Sequence, residues 1–136
     1  MMVADRLAVF VSANHGLSLS AAANMLVDEG LRMHEHPGVF FQNGATGRRA
    51  RLIMGPDVWE VIRAVKSARV HEPGLSEDEL LTMLVKNTGV PLRLIRVAIG
   101  YWAAYPDEID AEIAAADAAE DAAEAAWRRE RDLLAG

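Results

Sequence analysis

The sequence predicts a mainly α fold with an N-terminal helix pair, a small β-hairpin, a winged-helix-turn-helix-like core and a long C-terminal helix. Three observations lead to this prediction. Apolar residues recur at helical spacing in several segments. A turn rich in Asn and Gly separates two short strand-like runs. Residues 106–136 consist mostly of Ala, Asp and Glu, a composition that favours a long helix with a polar surface.

The helix-turn-helix prediction comes from residues 76–105. Ser76 and Glu79 have the spacing of a capping box at the start of a helix. Gly89 suits a left-handed C-cap, and Pro91 suits the first turn of the next helix. The expected buried stripes are Leu80, Leu81, Leu84 and Val85 on the first helix and Ile95, Ala98, Ile99 and Trp102 on the second.

Arg93 and Arg96 lie in the first two turns of that second helix, on a different face from its apolar stripe. A helix-turn-helix presents the N-terminal residues of its second helix to the DNA major groove. Both arginines are therefore candidate DNA contacts. The same pattern fits an ordinary antiparallel helix pair with solvated arginines, and that alternative stays open.

The N-terminal quarter predicts two helices, one over residues 3–14 and one that begins at Ser18 or Ser20 and stops before Pro37. Gly16 is the expected end of the first. The expected inward faces are Val3, Leu7, Phe10 and Val11 on the first helix and Ala22, Leu26, Gly30 and Met33 on the second.

Strand-like runs at residues 39–42 and 48–54, joined by residues 43–47, predict a β-hairpin that acts as a wing. Arg48, Arg49 and Arg51 make it basic, and strand alternation places 49 and 51 on one face and 48 on the other. All three are candidate DNA contacts. The loop also resembles a phosphate-binding loop, but no helix start with a Walker-type Lys follows it.

A further helix should run from Pro56 to about Ala68, with Val58, Val61, Ile62 and Val65 facing inward. On its outer surface, Arg63, Lys66 and Arg69 either extend a basic patch or form a solvated face.

Composition argues against several classes of protein. The chain has no cysteine, so disulfides, thiolate metal sites and a cysteine nucleophile are absent. It shows no apolar run of bilayer length and no export signal, so we expect a cytoplasmic protein without membrane contact.

His34, Glu35 and His36 form a His/carboxylate cluster without the i, i+4 geometry of a helical metal pair. With no other catalytic motif, we expect no enzyme, no metal and no cofactor.

The formal net charge of −6 is unevenly distributed. Residues 105–136 contain ten acidic and three basic residues, whereas residues 1–104 contain ten acidic and eleven basic residues. The acidity therefore belongs to the tail, and the nearly neutral body does not exclude a nucleic-acid partner.

The C-terminal helix should begin at Pro106 and reach about Leu134, roughly 40 Å at 1.5 Å per residue. We expect few contacts until its end, because its middle offers little apolar area. It could pack along a second copy, dock on another protein or remain solvated. The candidate partner-binding residues are Trp127, Arg128, Arg129, Arg131, Leu133 and Leu134.

Two resemblances add to these predictions. The segment GLSLSAAANMLVDEGLRM resembles the second helix of ribbon-helix-helix proteins, which dimerise and read DNA with a strand before their first helix. Only residues 1–5 precede Arg6, so either the true start lies upstream or the helices serve dimerisation alone.

Residues 36–113 resemble a domain-of-unknown-function family of bacterial antitoxin-like proteins encoded beside PIN-type ribonuclease toxins. The resemblance is carried by His36-Pro37-Gly38, the turn through Gly47-Arg48-Arg49, the Gly55–Trp59 helix start and LIRVAIGYWAAYPDEIDAEI. It implies a VapB-like type II antitoxin that forms a homodimer, neutralises a PIN-type toxin and represses its own promoter. Arginines of the tail would then pair with the acidic residues of the nuclease site.

The chain would divide into a ribbon-helix-helix-like dimerisation segment (1–35), a hairpin plus helix-turn-helix domain (36–105) and an acidic partner-binding helix (106–136). Two alternatives remain. One is a dimeric interaction or structural module without a DNA role, and the other is a stand-alone DNA-binding regulator without a toxin.

Overall fold

Six helices and one antiparallel hairpin make up the described part of the protein in a computed structural model, which covers residues 2–44 and 47–136. The predicted mainly α fold is confirmed. The elements are α1 (Val3–Ala13), α2 (Leu19–Glu35), β1 (Val39–Gly44), β2 (Gly47–Leu52), α3 (Val58–His71), α4 (Glu77–Thr88), α5 (Leu92–Ala104) and α6 (Pro106–Ala135).

The hydrophobic core lies between α3, α4, α5, the hairpin and the first turns of α6. Its largest fully buried side chains are Tyr101, Leu52, Ile95, Ile109 and Val58. Complete burial of a Leu, Ile or Val side chain contributes about 1.5–3 kcal/mol to the stability of the fold. These residues come from α3, α5, α6 and β2, so the core joins elements that are far apart in the sequence.

The hairpin pairs Val39 with Leu52 at its open end and Gly44 with Gly47 at its turn. Ala45 and Thr46, part of the predicted loop, lie outside the described residues. Gly38 leads into β1 with φ +106°, and a Cβ there would meet the Val97 methyl groups at 3.4 Å. Glycine therefore satisfies both a left-handed backbone and a close approach of the chain to α5.

The N-terminal helices form a pair at the edge of the body. The Ser18 side chain caps α2 by accepting a hydrogen bond from the Ala21 N–H at 3.1 Å, as one of the two predicted starts requires. On α2, Ala22 is buried as predicted, but Gly30 and Met33 are exposed and Glu29, which was not predicted, is buried. No residue of α1 is buried.

The first half of α6 also differs from the sequence-based expectation of few contacts. Ile109 is fully buried, and Ile113 and Ala116 pack against the core. Lys66 pairs with Asp110 at 2.7 Å, and Arg63 pairs with Asp117 at 3.2 Å and with Glu120 at 2.9 Å. Two of the three cations predicted on the outer surface of α3 therefore pair with carboxylates of the acidic helix, while the third, Arg69, donates to the Leu75 carbonyl at 2.7 Å.

The second half of α6 extends beyond the body. From residue 121 onward nearly every residue is exposed, including Trp127, Leu133 and Leu134. In the described part of the chain, none of the helices combines the length and the hydropathy that a bilayer span needs.

Candidate nucleic-acid interface

Both ends of α4 have the caps that the sequence predicts. The Ser76 hydroxyl accepts from the Glu79 N–H at 3.2 Å while the Glu79 carboxylate accepts from the Ser76 N–H at 3.1 Å, so the capping box is confirmed. Hydrogen bonding to Ser76 holds the Glu79 pKa below its ordinary value. At the other end, Gly89 adopts the left-handed conformation with φ 72°.

Several bonds then fix the direction in which α5 leaves the turn. The Val90 N–H donates to the Thr88 hydroxyl at 3.1 Å, and the buried Val90 side chain anchors the turn in the core. The Pro91 carbonyl accepts from the N–H groups of Leu94 and Ile95 at 2.9 Å and 3.1 Å. These local contacts place the start of α5 at the surface.

Arg93 and Arg96 lie on the exposed side of this start. Within residues 2–44 and 47–136, neither guanidinium forms a hydrogen bond, an ion pair or a ring contact. Gly100 continues the same helix face, and a Cβ added there would meet no atom within 4 Å. The exposed face of α5 thus carries two available cations followed by a small residue that allows close approach of a partner.

Lys86 adds a third cation at this end of the helix pair. It lies in the last turn of α4, is exposed and has no carboxylate partner among the described residues. Because the turn reverses the chain between residues 88 and 92, Lys86 and Arg93 lie at the same end of the pair. Lysine and arginine side chains without a carboxylate partner are the groups that contact the phosphate backbone in nucleic-acid complexes.

The hairpin arginines have a different environment. Arg48 makes a bidentate contact with the buried Glu29 of α2, with distances of 2.9 Å and 2.8 Å. Arg51 and Arg49 both reach Asp57, at 2.9 Å and 3.3 Å. The predicted alternation is confirmed, since Arg49 and Arg51 share one face and Arg48 lies on the other.

These contacts stabilise the fold by joining the hairpin to α2 and to the start of α3. The hydrogen bonds that Arg48 donates to Glu29 raise the pKa of Arg48 above its ordinary value. Asp57 also accepts from the Trp59 indole at 3.1 Å, so one carboxylate joins β2 to the start of α3. The structure therefore separates the five predicted DNA contacts into two available cations on α5 and three hairpin guanidiniums that already contact carboxylates.

A polar cluster that the sequence did not indicate connects α2, α5 and α6. Arg32 donates to the Tyr101 hydroxyl and to Glu108, each at 2.9 Å, and Tyr101 donates to Glu108 at 2.7 Å. The Arg32 guanidinium also lies 3.9 Å from the centroid of the Tyr105 ring.

Arg32 and Tyr101 both hold their protons more tightly in this cluster than they would in water. Burial raises the pKa of Tyr101 above its ordinary value. Burial alone would lower the pKa of Arg32, but hydrogen bonds with Tyr101 and Glu108 raise it overall. The cluster positions α5 against α6 and thereby supports the exposed face of α5. No periodic pattern could reveal it, because Arg32 and Glu108 are 76 positions apart.

The predicted partner-binding residues all lie on the free half of α6. Arg131 lies over the Trp127 ring at 4.9 Å, and Arg128 pairs with Glu124 at 2.6 Å within the helix. Arg129 is exposed and has no partner among the described residues. Leu133 and Leu134 are 81% and 86% exposed, which leaves two large apolar side chains with nothing to cover them.

The His34, Glu35 and His36 segment does not assemble a metal site. His36 stacks edge-on against Tyr101 and Tyr105, and Glu35 accepts from the Tyr105 hydroxyl at 3.5 Å. Among the described residues, no three His, Asp or Glu side chains come together as a ligand set.

Comparison of the chain with known protein families, with curated proteins and with solved structures finds no match.

Proposed function

We propose that the protein is a dimeric DNA-binding antitoxin of a bacterial type II toxin–antitoxin system, which represses its own promoter and neutralises a PIN-type ribonuclease. The DNA-binding part depends on one observation, the two unpaired arginines at the exposed start of the second helix, which follows closely on the glycine C-cap of the first. The toxin part depends on the resemblance of residues 36–113 to antitoxin-like proteins, together with the exposed apolar end of α6.

In this proposal α5 enters the major groove. Arg93 and Arg96 contact guanine or phosphate, and a bidentate contact to a guanine edge discriminates between bases by about 1–3 kcal/mol. Lys86 contacts the phosphate backbone and sets the register. Arg48, Arg49 and Arg51 contribute less, because their guanidiniums already contact Glu29 and Asp57.

Dimerisation through the N-terminal pair is part of the proposal. Large apolar side chains are exposed on both α1 and α2, among them Val3, Val9, Val27 and Leu31. A second copy that covers them would remove this apolar area from water, which favours association. The two α5 helices would then face successive major grooves.

A titration tests the DNA-binding part. A fluorescent fragment of the region upstream of the reading frame is titrated with the full chain at several salt concentrations. We expect Arg93→Ala and Arg96→Ala each to weaken binding by about 1–3 kcal/mol, and Lys86→Ala to reduce the salt slope by about one.

The control is Arg128→Ala, which removes an arginine from the free half of α6 and should leave binding unchanged. If the unaltered protein showed no affinity even at low salt, the DNA role would be refuted. The dimeric interaction module would then be the better interpretation.

Toxin binding is tested by co-purification with the product of the neighbouring reading frame. Trp127→Ala with Leu134→Ala should lose the partner, whereas Val70→Ala, which shortens an exposed valine of α3, should retain it. A triple alanine variant at Arg128, Arg129 and Arg131 then shows whether these side chains inhibit the nuclease. Full inhibition by that variant would exclude them from the inhibitory contact.

A further inference from the structure

A cleft of about 480 Å³ runs along α6 between its alanine-rich side and the indole of Trp59. Arg49 and Glu112 are the polar residues that line the cleft, and Ala111, Ala115 and Ala119 line it from the side of α6. One carboxylate oxygen of Glu112 is buried with no hydrogen-bond partner among the described residues. An unpaired buried oxygen calls for a donor, and the apolar walls would fit the stem of a long basic side chain.

The free half of the same helix carries a matching donor. Arg129 is exposed and unpaired within the described part of the chain. Arg128 and Arg131, its basic neighbours, already contact Glu124 and Trp127. Seventeen positions separate Glu112 from Arg129, about 26 Å along the helix, so the two cannot meet within one chain.

The spacing between them is self-complementary. A stripe with alternate steps of three and four positions follows one face of α6, which is the pattern of a helix pair. It consists of Glu112, Ala115, Ala119, Ala122, Ala126, Arg129 and Leu133. A two-fold axis between positions 120 and 121 sets 112 opposite 129, 115 opposite 126 and 119 opposite 122. An antiparallel pair of identical helices thus joins the acid of one copy to the base of the other at both ends.

The stripe is also sterically available. Ile109 and Ile113, which attach α6 to the core, project from a different face of the helix. Ala115, Ala119 and Ala122 are exposed, and side chains this small let two helix axes approach closely.

From the cleft, the unpaired acid and base and their symmetric spacing, we infer that the cleft beside Glu112 is the docking site for the free half of α6 of a second copy. The two helices run antiparallel, with Glu112 facing Arg129 of the second copy. This interface does not depend on the proposed antitoxin function. It leaves Trp127 and Leu134 outside the stripe.

Cysteine cross-linking tests the register directly, because residues 1–136 contain no cysteine. Full-length Ala115→Cys and Ala126→Cys chains with different tags are mixed and oxidised. A disulfide between them is expected, since these positions face each other. Each variant alone should stay uncross-linked, because like positions lie about 17 Å apart in this register and a disulfide needs less than about 7 Å between Cα atoms.

The control pair is Ala114→Cys with Ala126→Cys, since position 114 lies on another face of α6. Equal cross-linking of this pair, or none by the first pair, would overturn the inference. Capture of a co-expressed neighbouring protein at Ala126→Cys in place of the second copy would also overturn it, because the cleft would then receive a different protein.

Charge exchange measures the contact itself by sedimentation equilibrium of the full chain. We expect Arg129→Glu to weaken self-association through α6 about tenfold, and the double variant Glu112→Arg with Arg129→Glu to restore it to within about threefold. Arg128→Glu makes the same change of charge off the stripe and should have little effect. An equal effect of Arg128→Glu, or no recovery in a folded double variant, would contradict the pairing.

Discussion

Glu112 shows how one side chain makes the stability of the protein depend on pH. Burial, with a smaller contribution from Glu108, raises its pKa to about 7 from an ordinary value of 4.5, although Arg49 acts in the opposite direction. The folded protein therefore binds the proton more tightly than the unfolded chain does. The free energy of unfolding falls as pH rises from about 4.5 through about 7 and stays lower above that range.

Glu112→Gln should remove this dependence. At pH 8 we expect the variant to be more stable by about 1–2 kcal/mol, less than the full linkage value because the carboxylate is only partly shielded from water. Near pH 4 the difference should vanish. Urea unfolding at both pH values measures this difference in the free energy of unfolding. Both chains carry Arg129→Glu, which keeps a second copy out of the cleft.

Glu130→Gln, on the exposed end of the same helix, is the matched control for that measurement. An equal gain from both changes, or a gain that persists at low pH, would show that burial of the Glu112 carboxylate is not the cause.

At the scale of single elements, the sequence predicts those features that depend on residues close together in the chain. The capping box of α4 and the glycine C-cap each involve residues three or four positions apart, so both were predictable. The ion pairs between α3 and α6 join residues more than 40 positions apart and leave no periodic mark. The acidic composition of α6 and the cations of α3 were both visible in the sequence, but their pairing was not.

The same reason limits what the sequence reveals about the candidate site. Arg93 and Arg96 were identifiable because their exposure follows from the apolar stripe of their own helix. Arg48, Arg49 and Arg51 were equally visible as basic residues. Their carboxylate partners, however, come from α2 and from the turn before α3, which the hairpin meets only in the folded chain.

Ser76→Ala tests the capping box as an element. It removes the acceptor for the Glu79 N–H and should cost about 1 kcal/mol of stability. Thermal unfolding followed by circular dichroism measures the loss, and Ser67→Ala, an exposed serine within α3, is the control. A cost for Ser76→Ala no larger than that for Ser67→Ala would show that the box adds nothing to the fold.

For the whole molecule, the important boundary lies inside α6 and not at its start. Residues 106–120 contribute Ile109 to the core and pair with Arg32, Arg63 and Lys66. Residues 121–135 form no hydrogen bond or ion pair with the rest of the described chain. The body therefore extends to about Glu120, and the remainder is an arm.

Two truncations distinguish these halves. A chain that ends at Glu120 should lose only the helical signal of residues 121–135 and melt within about 2 °C of the full chain at the same low concentration. A chain that ends at Tyr105 loses Ile109 and the ion pairs of α6 with Arg32, Arg63 and Lys66. It should melt at least about 10 °C lower than the full chain. Similar melting of both would place the boundary at Pro106 instead. Tests of partner binding on the arm therefore require the cut after Glu120.

The N-terminal pair has a consequence for local dynamics. Because α1 buries no residue and packs mainly on α2, it should open independently of the body at a low free energy. Its amide hydrogens should then exchange with deuterium far faster than those of α5 when the protein is dilute. If a second copy covers α1, exchange should slow in proportion to the fraction of paired chains, so the isotope uptake of this one helix would record assembly.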